Sequence, residues 1–207
     1  MIDKFCSFLV SKMRKEMPDI DDERAEVIVY GLQLKIGEIP KIFITFIIAY
    51  LLGVFKLTIL TLITLMPYRV CSGGFHLKTH IGCILSTTLY YCGVALLAKH
   101  VGVAQNIEYI LALGIWIFGM IMVKLYAPAD TENIPILRKS ERKQKQILSY
   151  ITLTLTIIAS IIIKDINISN MLLFGSLIQS IMITKLAYRL TGSKYGYEVY
   201  QQEASTN

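Results

Sequence analysis

This sequence has few charged residues and no closely spaced cysteine pair. Of its 207 residues, 17% are charged and 54% are hydrophobic, and the mean hydropathy is +0.55. An ordinary soluble domain carries more charge, so the composition excludes that class and indicates an integral membrane protein. The four cysteines show no CxxC spacing, and a bilayer-embedded chain does not need the disulfides of a small secreted domain. We therefore expect four free thiols.

The amino terminus also lacks the long apolar core and small-residue cleavage site of a secretory signal, so we expect no cleaved signal. Apolar residues recur there at helical spacing and predict an amphipathic helix at the membrane surface. They are Ile2, Phe5, Phe8, Leu9, Met13 and Met17. Pro18-Asp19 should end this helix, and Asp21 or Asp22 should cap a second one. A surface anchor is the simpler interpretation, and a role in docking the substrate is the alternative.

Six apolar runs follow, and together they predict an all-α, polytopic integral membrane protein. They cover residues 39–55, 57–66, 81–98, 107–123, 147–163 and 168–186. A membrane span needs about 20 residues, so the run 57–66 crosses only if it extends through Tyr68 or Val70, and it could instead be re-entrant. We predict one membrane-embedded domain. It comprises N-terminal amphipathic helices at 1–38, a transmembrane core at 39–190 and a cytoplasmic tail at 191–207.

The distribution of basic residues predicts the orientation, because Lys and Arg are retained on the cytoplasmic side. With six crossings and both termini inside, eighteen of the 21 basic residues fall on the cytoplasmic side. Only Lys56, Lys99 and Lys164 fall outside, one in each external turn. The segments 67–80 and 124–145 should then both face the cytoplasm.

The segment 126–145 is polar, and basic residues cluster in its second half. Pro128 and Pro135 forbid one continuous helix through it. A solvated loop that fixes topology is one interpretation, and attraction of an acidic peptide or anionic lipid is the other. No aromatic or groove-reading pattern accompanies the charge, which argues against nucleic-acid binding.

The most informative segment lies between the second and third apolar runs and contains Arg69, Gly73-Gly74, His76, His80 and Cys83. Polar groups packed against membrane spans are candidates for function. A thiol is a nucleophile only as its thiolate, which needs a nearby base or the positive end of a helix. If Thr79 caps the third apolar helix, Cys83 lies in its first turns, where the helix dipole favours a negative sulfur.

Two histidines compete as the base. His80 is three residues from Cys83, which makes them neighbours on one helical face. His76 is seven residues away, a rise of about 10.5 Å on an unbroken helix, so it can serve only if the backbone folds back before Cys83. Gly73-Gly74 could permit that fold. From the residues alone, both bases remain open.

A zinc site is the chemical rival, because His76, His80 and Cys83 form an HxxxHxxC series that is one ligand short of a closed site. A peptide exporter is a third class, although its polar residues would be distributed through several segments. Arg69 could pair with a carboxylate of the substrate or of the Asp130 loop, or extend to lipid headgroups. Cys92 is out of phase with Cys83 and is predicted to serve packing.

Arg69, Gly73-Gly74-Phe75-His76 and Cys83, followed by Tyr126-Ala-Pro-Ala-Asp130 and Pro135, resemble the accessory gene regulator B (AgrB) family. Members of that family are membrane cysteine endopeptidases that process an AgrD-type precursor into a cyclic quorum-sensing peptide. The resemblance implies that Cys83 is the nucleophile and His76 the base, with Arg69 and Gly74 supporting the site. It also implies an AgrD-like propeptide substrate, no metal or cofactor, and a homodimer. Asp130 is a further hypothesis, as the group that orients His76.

Overall fold

The computed structural model describes residues 2–17, 20–77, 79–103, 105–132 and 135–206. Within these ranges the chain is helical and contains no β-sheet, which confirms the all-α prediction. The helices are α1 (Ile2–Glu16), α2 (Asp22–Leu51), α3 (Phe55–Ser72), α4 (His80–His100), α5 (Gln105–Tyr126), α6 (Lys139–Ile162), α7 (Ile166–Met182), α8 (Lys185–Thr191) and α9 (Gly196–Thr206).

Three of these helices, α4, α5 and α6, are long and apolar enough to cross a membrane. The count rises to four if α7 and α8, which bend by 72° at their junction, form one span. This is fewer than the six predicted crossings. The second half of α2 carries Glu38 and Lys41, and α3 carries Lys56 and Arg69, so charge lowers the apolar content of both helices.

The short apolar run 57–66 lies within α3, which continues through Tyr68 and Val70 as the sequence required for a crossing. With 18 residues, α3 is about 27 Å long at 1.5 Å per residue. That length approaches the thickness of the hydrocarbon core, about 30 Å. The run is therefore part of a continuous helix rather than a separate re-entrant segment.

The amino-terminal helices pack together as a pair. Asp21 caps α2 by accepting a hydrogen bond from the Arg24 amide at 2.8 Å, as predicted. Cys6 and Val10 of α1 are buried. Phe5 and Phe8 are more than half exposed, as a helix at a lipid surface requires. The break predicted at 18–19 lies outside the described residues, and α2 passes the predicted boundary at residue 38 without interruption.

Helix α7 is the centre of the bundle and packs against α3, α4, α5 and α6. Its buried surface is rich in small and polar residues, which let neighbouring helices approach closely. Gly175 faces Leu65 of α3. The hydroxyls of Tyr68 and Ser180 are 2.9 Å apart and join α3 to α7. These contacts position the end of α3, where the candidate site begins.

The four cysteines are free thiols, as predicted. Cys92 is buried among Ala49, Val54 and Ala95, which confirms its packing role. Its thiol also donates a weak hydrogen bond to the Thr45 carbonyl at 3.7 Å.

Candidate active site

The loop between α3 and α4 begins with two glycines in backbone conformations that most residues avoid. Gly73 has φ 78° and Gly74 has φ 144°. The Gly74 amide donates to the Ala129 carbonyl at 2.9 Å, and the Ala129 amide donates to the Ser72 carbonyl at 2.8 Å. These two bonds hold the loop against the segment that follows α5. The chain therefore leaves the axis of α3 at the glycine pair.

A glutamine of α7 fastens the same turn from inside the bundle. The Gln179 amide nitrogen donates to Ser72 Oγ at 2.9 Å and to the Gly73 carbonyl at 2.8 Å. Its amide oxygen accepts a hydrogen bond from Arg69 Nη1 at 3.1 Å. Gln179 is fully buried, so its loss would leave several polar groups unpaired. The turn therefore depends on a residue 106 positions away from Gly73.

Arg69 supports this turn and, among the described residues, forms no ion pair with a carboxylate. Besides Gln179, its guanidinium contacts Met182 Sδ at 3.5 Å and lies 5.5 Å from the centroid of the Tyr90 ring. Pairing with the Asp130 loop, one of the predicted alternatives, is wrong because the described bonds of that carboxylate go elsewhere. Arg69 instead joins the end of α3 to α4 and α7.

Cys83 lies in the first turn of α4. The predicted cap is confirmed, because Thr79 Oγ1 accepts a hydrogen bond from the Gly82 amide at 3.1 Å. The Cys83 amide donates to the Thr79 carbonyl at 2.9 Å, which completes the turn. Cys83 is 9% exposed. The Cys83 sulfur therefore lies at the amino-terminal end of α4.

After the turn at Gly73-Gly74, the chain places the His76 side chain beside Cys83. The distance between His76 Nδ1 and Cys83 Sγ is 3.9 Å, within hydrogen-bonding range for sulfur. A straight helix would separate the two residues by about 10.5 Å, so the fold of the loop brings them together. The pair has the geometry of a nucleophile beside its base.

The other histidine in this segment is His80. His80 begins α4, but its side chain lies outside the described residues, and so does any contact it makes with Cys83. Among the side chains that the structure describes, no three His, Cys, Asp or Glu residues form a group that could hold a metal ion.

The surroundings of His76 favour its neutral form. Part of the residue is exposed, but its ring is crowded by protein atoms. This burial lowers the pKa of the imidazole below its usual value, and the positive charges of Arg69 and Lys41 lower it further, opposed by Glu38. A neutral imidazole at pH 7 can accept a proton from the neighbouring thiol.

Asp130 organises a second loop, between α5 and α6, and none of its described bonds is to His76. Its Oδ2 accepts hydrogen bonds from the Ile136 amide at 2.9 Å, from Arg142 at 3.1 Å and from the Tyr197 amide at 3.1 Å. The side chain is completely buried. Arg142 lies in α6, so the predicted basic run forms the first turns of that helix rather than a free loop.

The tail beyond α8 packs beside the loop between α3 and α4. Ser193 Oγ donates to the His76 carbonyl at 3.1 Å. The rings of Tyr188 and Tyr195 are stacked with centroids 4.1 Å apart, and the Tyr188 hydroxyl donates to the Ala129 carbonyl at 2.9 Å. Both loops and the tail therefore form one connected unit around His76.

Gly73→Ala is expected to destabilise this unit. A Cβ at Gly73 would overlap the Ala129 carbonyl, and the backbone of Gly73, with φ 78° and ψ −152°, lies in a region that is nearly confined to glycine and costs another residue roughly 1–3 kcal/mol before that overlap is relieved. Gly93→Ala is the matched control, because a Cβ there meets no atom within 4 Å and Gly93 lies inside α4. Thermal unfolding in detergent should show a lower midpoint for Gly73→Ala alone. Equal midpoints for the two variants would show that the turn tolerates a side chain.

Sequence reasoning missed the residues that hold the site from a distance. Gln179 is a polar residue inside an apolar run, a signal that could have marked it. Lys41 is 7% exposed and forms an ion pair with Glu38 in α2. A buried lysine in an apolar segment is the same kind of signal. Ser193 offered none, since its role depends only on where the tail packs.

A family model described as Accessory gene regulator B matches residues 6–183. Accessory gene regulator protein B of Staphylococcus aureus (strain N315) is 32% identical over 187 residues, which cover 90% of this chain and 94% of that protein. A putative AgrB-like protein of Listeria innocua serovar 6a is 31% identical over 205 residues, 96% of this chain and 95% of that protein. No solved structure matches. This membrane protein therefore belongs to the accessory gene regulator B family.

Proposed function

We propose that this protein is a membrane cysteine endopeptidase that cleaves an AgrD-like propeptide and promotes its cyclisation to an autoinducing thiolactone or lactone. The observation that carries this proposal is the 3.9 Å approach of His76 Nδ1 to Cys83 Sγ at the start of α4. A thiol beside a neutral base and a helix amino terminus is the arrangement of an activated cysteine.

In the first step, His76 accepts the thiol proton and the Cys83 sulfur attacks a carbonyl carbon of the propeptide. The C–N bond breaks, the imidazolium gives its proton to the leaving amine, and the carboxy-terminal piece departs. The amino-terminal part remains as a thioester on Cys83. Nearby hydrogen-bond donors stabilise the oxyanion of the tetrahedral intermediate.

In the second step, a Cys or Ser side chain of the bound precursor attacks the thioester. A new thioester or ester closes the ring, and Cys83 is released with a proton returned through His76. One activated acyl bond replaces another, so no external energy source is required for a thiolactone. The low exposure of Cys83 limits water, which favours cyclisation over hydrolysis.

We place both termini and the catalytic loop on the cytoplasmic side, with α2 and α3 completing six crossings. The distribution of basic residues and the nearly spanning length of α3 support this topology. Family precedent supports a homodimer.

The test is the intact mass of purified protein in lipid after mixing with an AgrD-like precursor in metal-free buffer. We expect a precursor-derived mass adduct on the native chain and none on Cys83→Ala. Cys71→Ala is the matched control, because Cys71 is a free thiol in the last turn of α3, close to the loop that contains His76. This variant should still form the adduct. Thiolactone or lactone product should appear only with variants that form the adduct.

Two results would contradict the proposal. Cleavage by Cys83→Ala would exclude the thiol mechanism. Folded native protein that binds precursor without adduct or cleavage would point to a peptide exporter, or, if zinc restored cleavage, to a metal-dependent enzyme using His76, His80 and Cys83.

A further inference from the structure

A buried lysine of α2 lies at the same depth in the bundle as the candidate nucleophile. Lys41 is 7% exposed, and its ammonium donates to Glu38 one turn earlier. The Glu38 side chain is half exposed, so the carboxylate reaches the surface while the ammonium remains inside. A buried charge is costly in an apolar segment and marks a candidate for function.

Lys41 and Cys83 lie at the same depth because of the way α2 packs on α4. Thr45 Oγ1 and Thr88 Oγ1 are 2.9 Å apart, and further along both helices Lys99 Nζ donates to the Gly53 carbonyl at 3.2 Å. Later residues of one helix thus meet later residues of the other, and the two helices run parallel. Lys41 is four residues before Thr45, and Cys83 is five residues before Thr88. Lys41 and Cys83 therefore occupy matching positions on facing helices.

The charges around the Cys83 thiol come from three elements. Helix α2 contributes Lys41 and Glu38, and Lys41 lies at the position that matches Cys83 on the facing helix. The catalytic loop contributes His76, and α3 contributes Arg69, whose charge acts on that histidine together with Lys41. Glu38 is the one carboxylate among them, and it is already engaged by Lys41.

We propose that Lys41 is the fixed positive charge that stabilises the Cys83 thiolate, and that Glu38, its ion-pair partner, partly offsets that charge. What the thiolate then attacks rests on the function proposed above. Lys41 keeps its proton throughout, and the thiol proton leaves through His76. An ammonium held beside the sulfur favours the anionic form, as a neighbouring lysine or arginine does at other reactive cysteines.

The test measures the reactivity of Cys83 without substrate. Native protein and variants in detergent are treated with iodoacetamide from pH 5 to 10, and alkylation of Cys83 is followed by peptide mass spectrometry. For Lys41→Met we expect the midpoint of the reactivity profile to rise by about one pH unit and alkylation at pH 7 to slow about tenfold. Lys41→Arg should remain within a few-fold of native. Lys56→Met, which removes an exposed lysine in the first turn of α3, at the end of that helix far from Cys83, should not change the profile.

Glu38→Gln separates a charge effect from loss of the ion pair. Both Glu38→Gln and Lys41→Met break the pair, so a purely structural role predicts that both slow alkylation. Our proposal predicts different results for the two variants: Lys41→Met slows alkylation, whereas Glu38→Gln leaves the ammonium unneutralised and should match or exceed the native rate. Only variants that elute as a single folded species on size exclusion are compared. If Lys41→Met does not fold, the comparison uses Lys41→Arg and Glu38→Gln.

An unchanged profile in Lys41→Met, or equal slowing by Lys41→Met and Glu38→Gln, would overturn the role of Lys41. If Lys41→Met does not fold, slowing by Glu38→Gln would overturn it. These outcomes leave the endopeptidase proposal intact, because that proposal is decided by the precursor adduct. Conversely, a native protein without adduct would reject the endopeptidase while the dependence of Cys83 reactivity on Lys41 stayed measurable.

Discussion

His76→Ala is expected to slow acylation of Cys83 by the precursor by about 100- to 10,000-fold, the usual contribution of a general base. The imidazole is the described base beside the sulfur, at 3.9 Å, and neither Lys41 nor Arg69 can accept a proton while charged. Precursor binding should persist because the ring does not support the bundle. Rapid-quench intact mass measures the acylation rate, and a labelled precursor measures binding.

His100→Ala is the matched control, since that histidine ends α4 at the far side of the bundle and is exposed. It should acylate at the native rate. If His76→Ala retains native acylation and His80→Ala loses it, His80 is the base. The pH dependence of acylation in the native protein is a second check. Because the pKa of His76 is lowered, its neutral form persists at more acid pH, so acylation should fall only below the usual histidine value of about 6.5.

Asp130→Ala should cost about 3–5 kcal/mol of folding free energy, the typical effect of breaking a buried ion pair. Asp130 is completely buried, and its loss would leave the partly buried Arg142 and two backbone amides without their acceptor. The Tyr188 hydroxyl also donates to the Asp130 carbonyl at 3.0 Å, so the disturbance of this loop should extend to the neighbouring turn at Gly73-Gly74. Denaturant or thermal unfolding in detergent measures the loss.

Glu141→Ala is the control for this prediction. Its pair with Lys145 is more exposed, with 3.8 Å between the charged atoms, and exposed pairs contribute about 0–1 kcal/mol. Asp130→Asn tests the alternative role. If that variant lost acylation at native stability, Asp130 would act on His76 rather than on its own loop, and our assignment would be wrong.

The local structure around Cys83 could be predicted before the fold was known. Thr79 as the cap of α4, Cys83 in its first turn and the need for a turn at Gly73-Gly74 followed from local rules of helix capping and glycine conformation. The choice between His76 and His80 did not follow, because local spacing favoured His80. The family resemblance named His76, and the glycine turn is what brings His76 to the sulfur.

The partners of the charged residues were also beyond local rules. Asp130 binds Arg142 rather than His76 or Arg69, since the position of α6 decides which cation reaches the loop. In the part of the chain that the structure describes, three or four spans are long and apolar enough to cross a membrane, because charged residues lower the apolar content of α2 and α3.

By itself, the sequence determined the membrane class, the all-helical architecture and the capped cysteine, because apolar composition and helix caps act over a few turns of chain. Only the tertiary structure decided how the site is held together. The turn at Gly73-Gly74 and the loop after it are held by Gln179, Ser193 and the bundle around α7, and Lys41 and Cys83 occupy matching positions only through the parallel packing of α2 on α4. Such contacts join residues far apart in the chain, and no local pattern specifies which of many polar groups will meet when helices pack.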